Sequence, residues 1–444
     1  MIGLKQDFPL PSLEEWHIQL TKELKGEDPN VLERHDEIEE IDFRTYTYDL
    51  GSSHAEGYRR GNSHTNDWKI ATLIEVHDEK STNKKALELL MTGCDEPIFD
   101  FRTNETADIA ILFAGIAFEY IQTTIVTNSE ETIFRVHQAI GISFPGKIKY
   151  AIDPHVVGFQ KIRALSHVFT EKQTPFILIN GYDIQQTGAT ATQELAFCLS
   201  TANECLGVLL DEGMNIDQAA ACIHFSIGTS ANYFYTIAKI RSLKETWASL
   251  VDAYSPTHSC SRNCNITAIS GPMNKSLLDP YTNLLRQTTE GLSAAVSGAN
   301  SILIKPYSTA STETENELAE RMATNISLLL KEESYMHIVS DPIGGSYAIE
   351  NLTSQFTSKT WLLFQDLEVR KGVFNDECSA HLRQRIQEKA NRRLEAVQKG
   401  QITLIGINKF PNPTKETANY RQPVMYYGMA QLIIERELMT ENHG

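Results

Sequence analysis

The chain has 444 residues, 41% of them hydrophobic and 22% charged, which allows a large folded core and excludes a disordered polymer. Lys plus Arg number 40 against 57 for Asp plus Glu, a net charge of −17. That balance excludes a general nucleic-acid binder, which needs clustered cations to displace phosphate counterions. The longest apolar run, Ile109 to Phe118, is about half of the roughly 20 residues that a membrane helix requires. The start, M-I-G-L-K-Q-D-F-P-L-P-S, lacks the basic and apolar regions of a secretion signal. The expected setting is the cytoplasm, with no membrane partner. The seven cysteines are 94, 198, 205, 222, 260, 264 and 378, an odd, scattered set that reads as free thiols.

In chain order, residues 1–68 are polar and charge-rich, with a short amphipathic helix in W-H-I-Q-L-T-K-E-L-K-G, and read as an N-terminal arm or cap. Eight β-rich runs follow: 69–76, 96–101, 121–126, 148–152, 175–180, 222–227, 265–270 and 301–305. Each precedes a helical pattern. From Ser230 to Val251, Phe234, Ile237, Ala238, Ile240 and Arg241 follow helical spacing, with Ser230 as the expected N-cap. Thr314 to Lys331 carries acid at its start and Lys at its end, which suits the helix dipole. Eight strand–helix units predict a (β/α)8 barrel over 69–345; a doubly wound sheet fits the same pattern. Residues 346–444 read as C-terminal helices, near 351–371 and 376–399, and a tail, I-T-L-I-G-I-N-K-F-P-N-P, all packed on the barrel.

Catalytic groups of such barrels sit at the C-terminal ends of the strands. Those ends carry His77, Asp78, Arg102, Asn128, Asp153, His155, Asn180 to Gln186, Ser226, Ser270, Lys305 and Tyr307. The rim is polar and mixed, with no nucleophile–base pair and no repeated carboxylates of the kind a hydrolase needs. Cys260-x-x-x-Cys264, with His258 just before, lacks the second ligand pair of a metal site and reads as a loop with two ordinary thiols. Gly344-Gly345 after Asp341-Pro342 lacks the fuller phosphate-loop pattern and reads as a turn that needs glycine. Asp153-Pro154-His155-Val156-Val157-Gly158 fits D-x-H-x-x-G, a string that supplies a cobalt-ligating histidine in many cobalamin proteins. Its usual companions are missing: the place of S-x-L reads Ser200-Thr201-Ala202, inside a helical pattern. Asp153, His155 and Gly158 are therefore read as a chance match.

Four longer runs carry a resemblance. They are G-Y-D-I-Q-Q-T-G-A-T-A-T-Q-E-L-A-F (181–197), L-D-P-Y-T-N-L-L-R-Q-T-T-E-G (278–291), R-M-A-T-N-I-S-L-L-L-K-E-E-S (321–334) and S-D-P-I-G-G-S-Y-A-I-E (340–350). In this order they resemble the methylmalonyl-CoA mutase family, whose first run reads G-Y-H-M-Q-E-A-G-A-T-A-x-Q-E-L-A-F. The resemblance implies a barrel that binds acyl-CoA through its centre. It also implies a partner domain with adenosylcobalamin, which supplies the radical for interconverting methylmalonyl-CoA and succinyl-CoA.

The departures fall on the pocket. The family's catalytic His corresponds to Asp183, and an ionised carboxylate cannot donate a hydrogen bond to a thioester carbonyl. The family's R-G-Y-D-S-D reads H-D-E-K-S-T here, from His77. H-C-Q-T-S-G appears as Asn265 to Gly271, and S-L-H-T-N as Ser301 to Lys305. Tyr182, Asp183, Gln186, Ser270 and Lys305 stand as the equivalents of substrate-pocket residues, with no catalytic residue among them. Only Gln401 to Gly444 remains after the helices, while a flavodoxin-like cobalamin domain needs roughly a hundred residues or more.

These features look like the small, non-cobalamin-binding subunit of a heterodimeric mutase. Such a subunit binds no cofactor itself and works with a homologous large catalytic subunit that holds adenosylcobalamin. The resemblance leaves two alternatives: a catalytic barrel that borrows a separate cobalamin protein, or a free-standing CoA-binding or scaffold protein.

Overall fold

The computed structural model describes residues 12–44, 65–169, 174–275, 280–308 and 317–410. The first residues of the chain, the opening of the helix expected from Thr314 and everything after Phe410 lie outside them. Helix α1 (Leu13–Glu23) opens on a capping box in which Ser12 and Glu15 bond reciprocally. A two-stranded antiparallel ribbon, β1 (Arg34–Asp36) and β2 (Ile41–Phe43), follows.

Eight parallel strands then form the centre: β3 (Lys69–Glu75), β4 (Glu96–Asp100), β5 (Thr123–Val126), β6 (Ile148–Ala151), β7 (Ile177–Asn180), β8 (Ile223–Gly228), β9 (Ile266–Ser270) and β10 (Ser301–Ile304). All eight runs expected as strands are strands. Each pairs with its neighbour in sequence, and β10 returns to β3. The seam between β6 and β7 is joined by a parallel bridge, Ile152 to Ile177, and by Tyr150 N donating to Pro175 O at 2.9 Å. The result is a closed (β/α)8 barrel, as the alternating pattern predicts.

Strand alternation divides the apolar side chains into two sets. Ile70, Ile74, Phe99, Ile125, Tyr150, Ile177, Phe225 and Ile302 point outward into the main core under the helices. Ala71, Leu73, Ile98, Val126, Ile269 and Leu303 form a separate cluster inside the barrel.

The helices used below are α2 (Glu79–Met91), α3 (Glu130–Val136), α4 (Phe159–Phe169), α5 (Gly181–Gln186), α6 (Ala191–Asp211), α7 (Tyr233–Ala253), α8 (Thr282–Val296), α9 (Glu317–Leu328), α10 (Tyr347–Val369) and α11 (Asp376–Gln398). Helix α7 starts later than the expected Ser230. Asn232 is its N-cap and accepts from Tyr235 N, while the Ser230 hydroxyl bonds to that of Thr236 at 3.1 Å. Ile237, Ala238, Ile240 and Arg241 are buried, but Phe234 is exposed and meets Phe43 of the ribbon.

Buried ion pairs tie the layers together. Lys239 of α7 bonds Glu194 of α6 at 2.6 Å, and Glu194 also accepts from Gly228 N at the end of β8. Arg241 holds Asp341 and Glu350, which fixes the D-P-I-G-G-S-Y loop. Gly345 in that loop has φ +83°, so the glycine is required by backbone conformation. The ribbon wedges Glu39 against the start of α6: Ala191 N donates to one carboxylate oxygen at 2.8 Å and Arg393 of α11 to the other at 2.9 Å.

Candidate active-site mouth

The strand ends and the start of α5 form the barrel mouth. Asn180, last residue of β7, caps α5 by accepting from Asp183 N at 3.3 Å. Its amide Nδ2 donates to the Asp183 carboxylate at 2.7 Å, and its Oδ1 accepts from the Ser226 hydroxyl at 3.0 Å. Asp183 is exposed, so this carboxylate faces the mouth. Tyr182 is buried beneath Lys305, whose Nζ lies 4.7 Å from the ring centroid, a cation–π contact. Lys305 is itself anchored by its backbone: its N–H donates to the Ser270 hydroxyl at 3.0 Å, and its carbonyl accepts from Gln287 at 2.6 Å.

Gln185 reaches across to Thr229 O at 2.8 Å, and Gln186 donates to Gln185. Gln186 lies so close to Gly271 that a Cβ there would sit 2.4 Å from its amide nitrogen. Its own Oε1 is buried without a hydrogen-bond partner. Tyr182, Gln186, Ser270 and Lys305 thus share the β7–β10 side of one mouth, with Asp183 turned toward Ser226. The helix after the loop starts on a second capping box, Thr190 with Gln193, so the T-Q-E of the long run builds α6 and its tie to β8.

Other rim residues have local duties. Asp78 caps α2 through Ser81 N, His77 pairs with Glu75 at 3.2 Å, and Asn128 N donates to Glu105. Tyr307 is buried against Tyr281. Arg102 is held by a two-pronged pair with Asp100; these bonds raise its already high pKa, with Asp183 and Glu75 adding to the effect.

The D-x-H-x-x-G residues sit at the end of β6. Asp153 accepts from His155 N at 2.9 Å, and Gly158, at φ +78°, ends the short helical turn Pro154–Val157. The His155 ring lies parallel to Phe374 at 4.1 Å and against Phe197 at 4.9 Å, with Nε2 2.9 Å from the Thr201 hydroxyl. The ring lies between aromatic neighbours, and this partial burial lowers its pKa, while the residue as a whole remains exposed to solvent. Cys260 is exposed on a helical turn and Cys264 is buried, its thiol pushed up by desolvation. Among the described residues no group of three His, Cys, Asp or Glu side chains is placed to hold a metal.

The opposite end of the barrel axis carries a layer that sequence reading missed. Lys149 and Glu96 pair at 2.6 Å with side chains almost wholly buried. The Glu96 carboxylate also accepts from Thr124 at 2.8 Å and from Ser301. Burial pushes this carboxyl up, but Lys149 and the two hydroxyls outweigh it and hold it below its ordinary value. His224 completes the layer, donating through Nε2 to Tyr150 O at 2.9 Å; burial and Lys149 push its pKa down to about 4. The legible signal was charge at inward positions of E-P-I-F-D and I-K-Y-A, where alternation aims Glu96 and Lys149 along the axis.

Comparison with known proteins fits this architecture. The sequence model of the family described as methylmalonyl-CoA mutase matches residues 154–429. The chain is 28% identical to the methylmalonyl-CoA mutase small subunit of Porphyromonas gingivalis, over 93% of this chain and 72% of that protein. It is 29% identical to the methylmalonyl-CoA mutase of Cereibacter sphaeroides, over 68% of this chain and 46% of that protein. It is 30% identical to the probable methylmalonyl-CoA mutase small subunit of Mycobacterium bovis, over 60% of this chain and 44% of that one. The chain therefore spans less than half the length of the last two relatives. No helix among the described residues is long and apolar enough to cross a membrane. With the family match covering most of the chain and the barrel closed as that family requires, this chain belongs to the methylmalonyl-CoA mutase family.

Proposed function

We propose that this chain is a non-catalytic small subunit of a heterodimeric, adenosylcobalamin-dependent methylmalonyl-CoA mutase of the cytoplasm. The homologous large subunit then binds the cofactor and interconverts methylmalonyl-CoA and succinyl-CoA. Asp183 carries the proposal. It stands where the resemblance places a catalytic imidazole, and it is exposed to the mouth and bonded by Asn180. An ionised carboxylate accepts hydrogen bonds only, so it cannot polarise a thioester carbonyl, and it repels an anionic acyl-CoA.

A second observation supports the same reading. The Glu96–Lys149 layer lies across the barrel axis, where a pantetheine arm would have to pass. The residues that could offer cobalt a ligand do not fit that role either. His155, though exposed as a residue, has its Nε2 held by the Thr201 hydroxyl at 2.9 Å and its ring laid against Phe374 and Phe197, so it does not present a free nitrogen to cobalt.

The chain alone, the chain with its organism's large subunit, and the chain with a cobalamin-only protein are each assayed with adenosylcobalamin and methylmalonyl-CoA. Co-purification with the large subunit, and turnover only in that pair, is the expected outcome. Turnover with a cobalamin-only protein would establish the catalytic-barrel alternative. Failure to co-purify, together with acyl-CoA binding by the isolated chain, would favour a free-standing CoA-binding protein.

A further inference from the structure

Among residues 12–33 no described side chain is buried, and helix α1 packs on the short turn Pro29–Leu32. The grip of this solvated arm on the body begins at the ribbon that follows it. Ile41 is fully buried among Tyr235 and Ala238 of α7 and Leu352 and Phe356 of α10. Gln355 of α10 bonds both main-chain groups of Asp42, accepting from its N–H at 2.9 Å and donating to its carbonyl at 2.8 Å. Lys389 of α11 pairs with Glu40. These ties seat the ribbon against the outer helices.

Glu39 makes a tie of another kind, because it reaches the joint between α5 and α6. Its carboxylate sits at the N-terminus of α6, where Ala191 N donates to it at 2.8 Å, a placement that suits the helix dipole. Arg393 donates to the second carboxylate oxygen at 2.9 Å and, through its other terminal nitrogen, to the carbonyl of Gly188 at 3.0 Å. Gly188 stands at φ +96°, so a residue with a Cβ would resist the turn that follows the mouth helix. Burial pushes the Glu39 carboxyl up, and Arg393 and the Ala191 N–H oppose this, so its charge depends on both partners. One turn into α6, Glu194 takes the N–H of Gly228, and Gly228 leaves the space that the Gln185 amide fills. Gln185 belongs to α5, as do Tyr182 and Asp183. The joint is thus held from the barrel at Gly228 and from outside by the ribbon.

We propose that the ribbon is a strap that sets the mouth, coupling the N-terminal arm to α5 through the clamp of Glu39, Arg393 and Gly188. Whatever takes hold of the arm or lifts the ribbon then loosens α5. Whatever displaces α5 loosens the ribbon, since coupling between two places is reciprocal. An arm without this link would be an independent appendage, with ties that end on α10 and α11. The coupling concerns how α5 is held and is separate from what the mouth binds.

Hydrogen–deuterium exchange of the full chain, read at residues 34–43 and 181–191, tests the strap from both sides. Glu39→Gln weakens the clamp at the ribbon. A charged hydrogen bond is lost, so exchange at 181–191 should quicken by roughly tenfold or more. Gly188→Ala strains the joint at the mouth and should quicken exchange at 34–43, a segment with which Gly188 shares no hydrogen bond. Lys389→Met combined with Gln355→Ala unties the ribbon without touching α5, and should quicken exchange at 181–191 by a smaller factor. Lys85→Gln, which breaks a pair with Glu320, should change neither segment. Unchanged exchange in the strands 96–100 and 148–151 shows that each variant keeps the fold. Ribbon exchange that quickens while 181–191 stays slow overturns the proposal, and so does a Gly188→Ala chain whose ribbon is unaffected. Should Glu39→Gln fail to fold, the other two variants decide, because neither strips the clamp of a charge.

Discussion

At one end of the barrel axis, Glu96, Lys149, Thr124, Ser301 and His224 sit in a dry layer where each hydrogen bond has one answer. At the other end, Asp183, Arg102 and Lys305 stand in a wet mouth, each tied to a neighbour yet open to solvent on one side. Both ends are polar, but they carry different energetic stakes. A charge in the dry layer has only its partner to stabilise it, whereas water replaces a lost partner in the mouth. The closed end is therefore fixed by folding. The mouth is the end where chemistry can change without loss of the fold, and Asp183 lies there.

The largest expected effect tests the closed end. Lys149→Met strands the Glu96 carboxylate in the barrel and should cost roughly 3–5 kcal/mol of stability. Adding Glu96→Gln should recover much of that loss, since a neutral pair of similar size removes the stranded charge. Denaturant midpoints of the two singles and the double give the coupling. If Lys149→Met costs no more than a surface change, the layer is wet and the contrast between the two ends fails.

Acid gives the next effect. His224, fully buried, is neutral in the folded chain, pushed by burial and by Lys149 from 6.5 to about 4, and partial burial of the ring shifts the exposed His155 in the same direction. The unfolded chain takes up protons below about 6.5, so their contribution is full above that pH and is lost as pH falls toward 4. Glu96, held below its ordinary 4.5, keeps its contribution down to about that pH and loses it as pH falls further. The melting temperature should therefore fall between about pH 6.5 and pH 4. His155→Phe, which keeps a ring between Phe374 and Phe197, should flatten part of that slope; an unchanged slope would show that the ring titrates normally.

The contrast also explains what was legible in the sequence. The barrel was readable because each strand is a short apolar run whose outward side chains meet the core, so period and length suffice. The start of α7 was not, because Ser230 and Asn232 are both good caps and only the folded chain shows Ser230 bonded to Thr236 instead. Tyr182, Asp183, Gln186, Ser270 and Lys305 could be set side by side from the sequence because they follow strand ends, and the structure places them around one mouth. Glu96 and Lys149 were missed because their strands lie apart in sequence and meet only when the barrel closes. The aromatic clamp on His155 was illegible for the same reason, since Phe374 comes from the turn between α10 and α11.

A smaller effect probes the border between the two regimes. Gly271→Ala pushes a methyl group into the Gln186 amide and should cost about 1–3 kcal/mol. Gln186→Ala in the same chain should remove most of that penalty, because the obstacle is a side-chain end and not backbone. If the double variant is as unstable as Gly271→Ala alone, the backbone at Gly271 carries the strain and the mouth is less adaptable than its exposure implies.

The smallest effect on stability bears most directly on function. Asp183→His restores at the mouth the residue type that the resemblance associates with catalysis. Because Asp183 is exposed, the change should alter stability by no more than about 0.5 kcal/mol. On the proposed reading it should also confer no turnover of methylmalonyl-CoA on this chain. An imidazole supplies a donor, but the Glu96–Lys149 layer still crosses the axis, and no tyrosine of an R-G-Y-D-S-D run follows β3. Assay beside a cobalamin-only protein checks this. Turnover there would mean that the barrel needed one side chain to work, and the closed end could then no longer be held to exclude substrate. Acyl-CoA binding without turnover would be a different result: the mouth accepts the ligand from its open side, and exclusion comes from the charge of Asp183 alone.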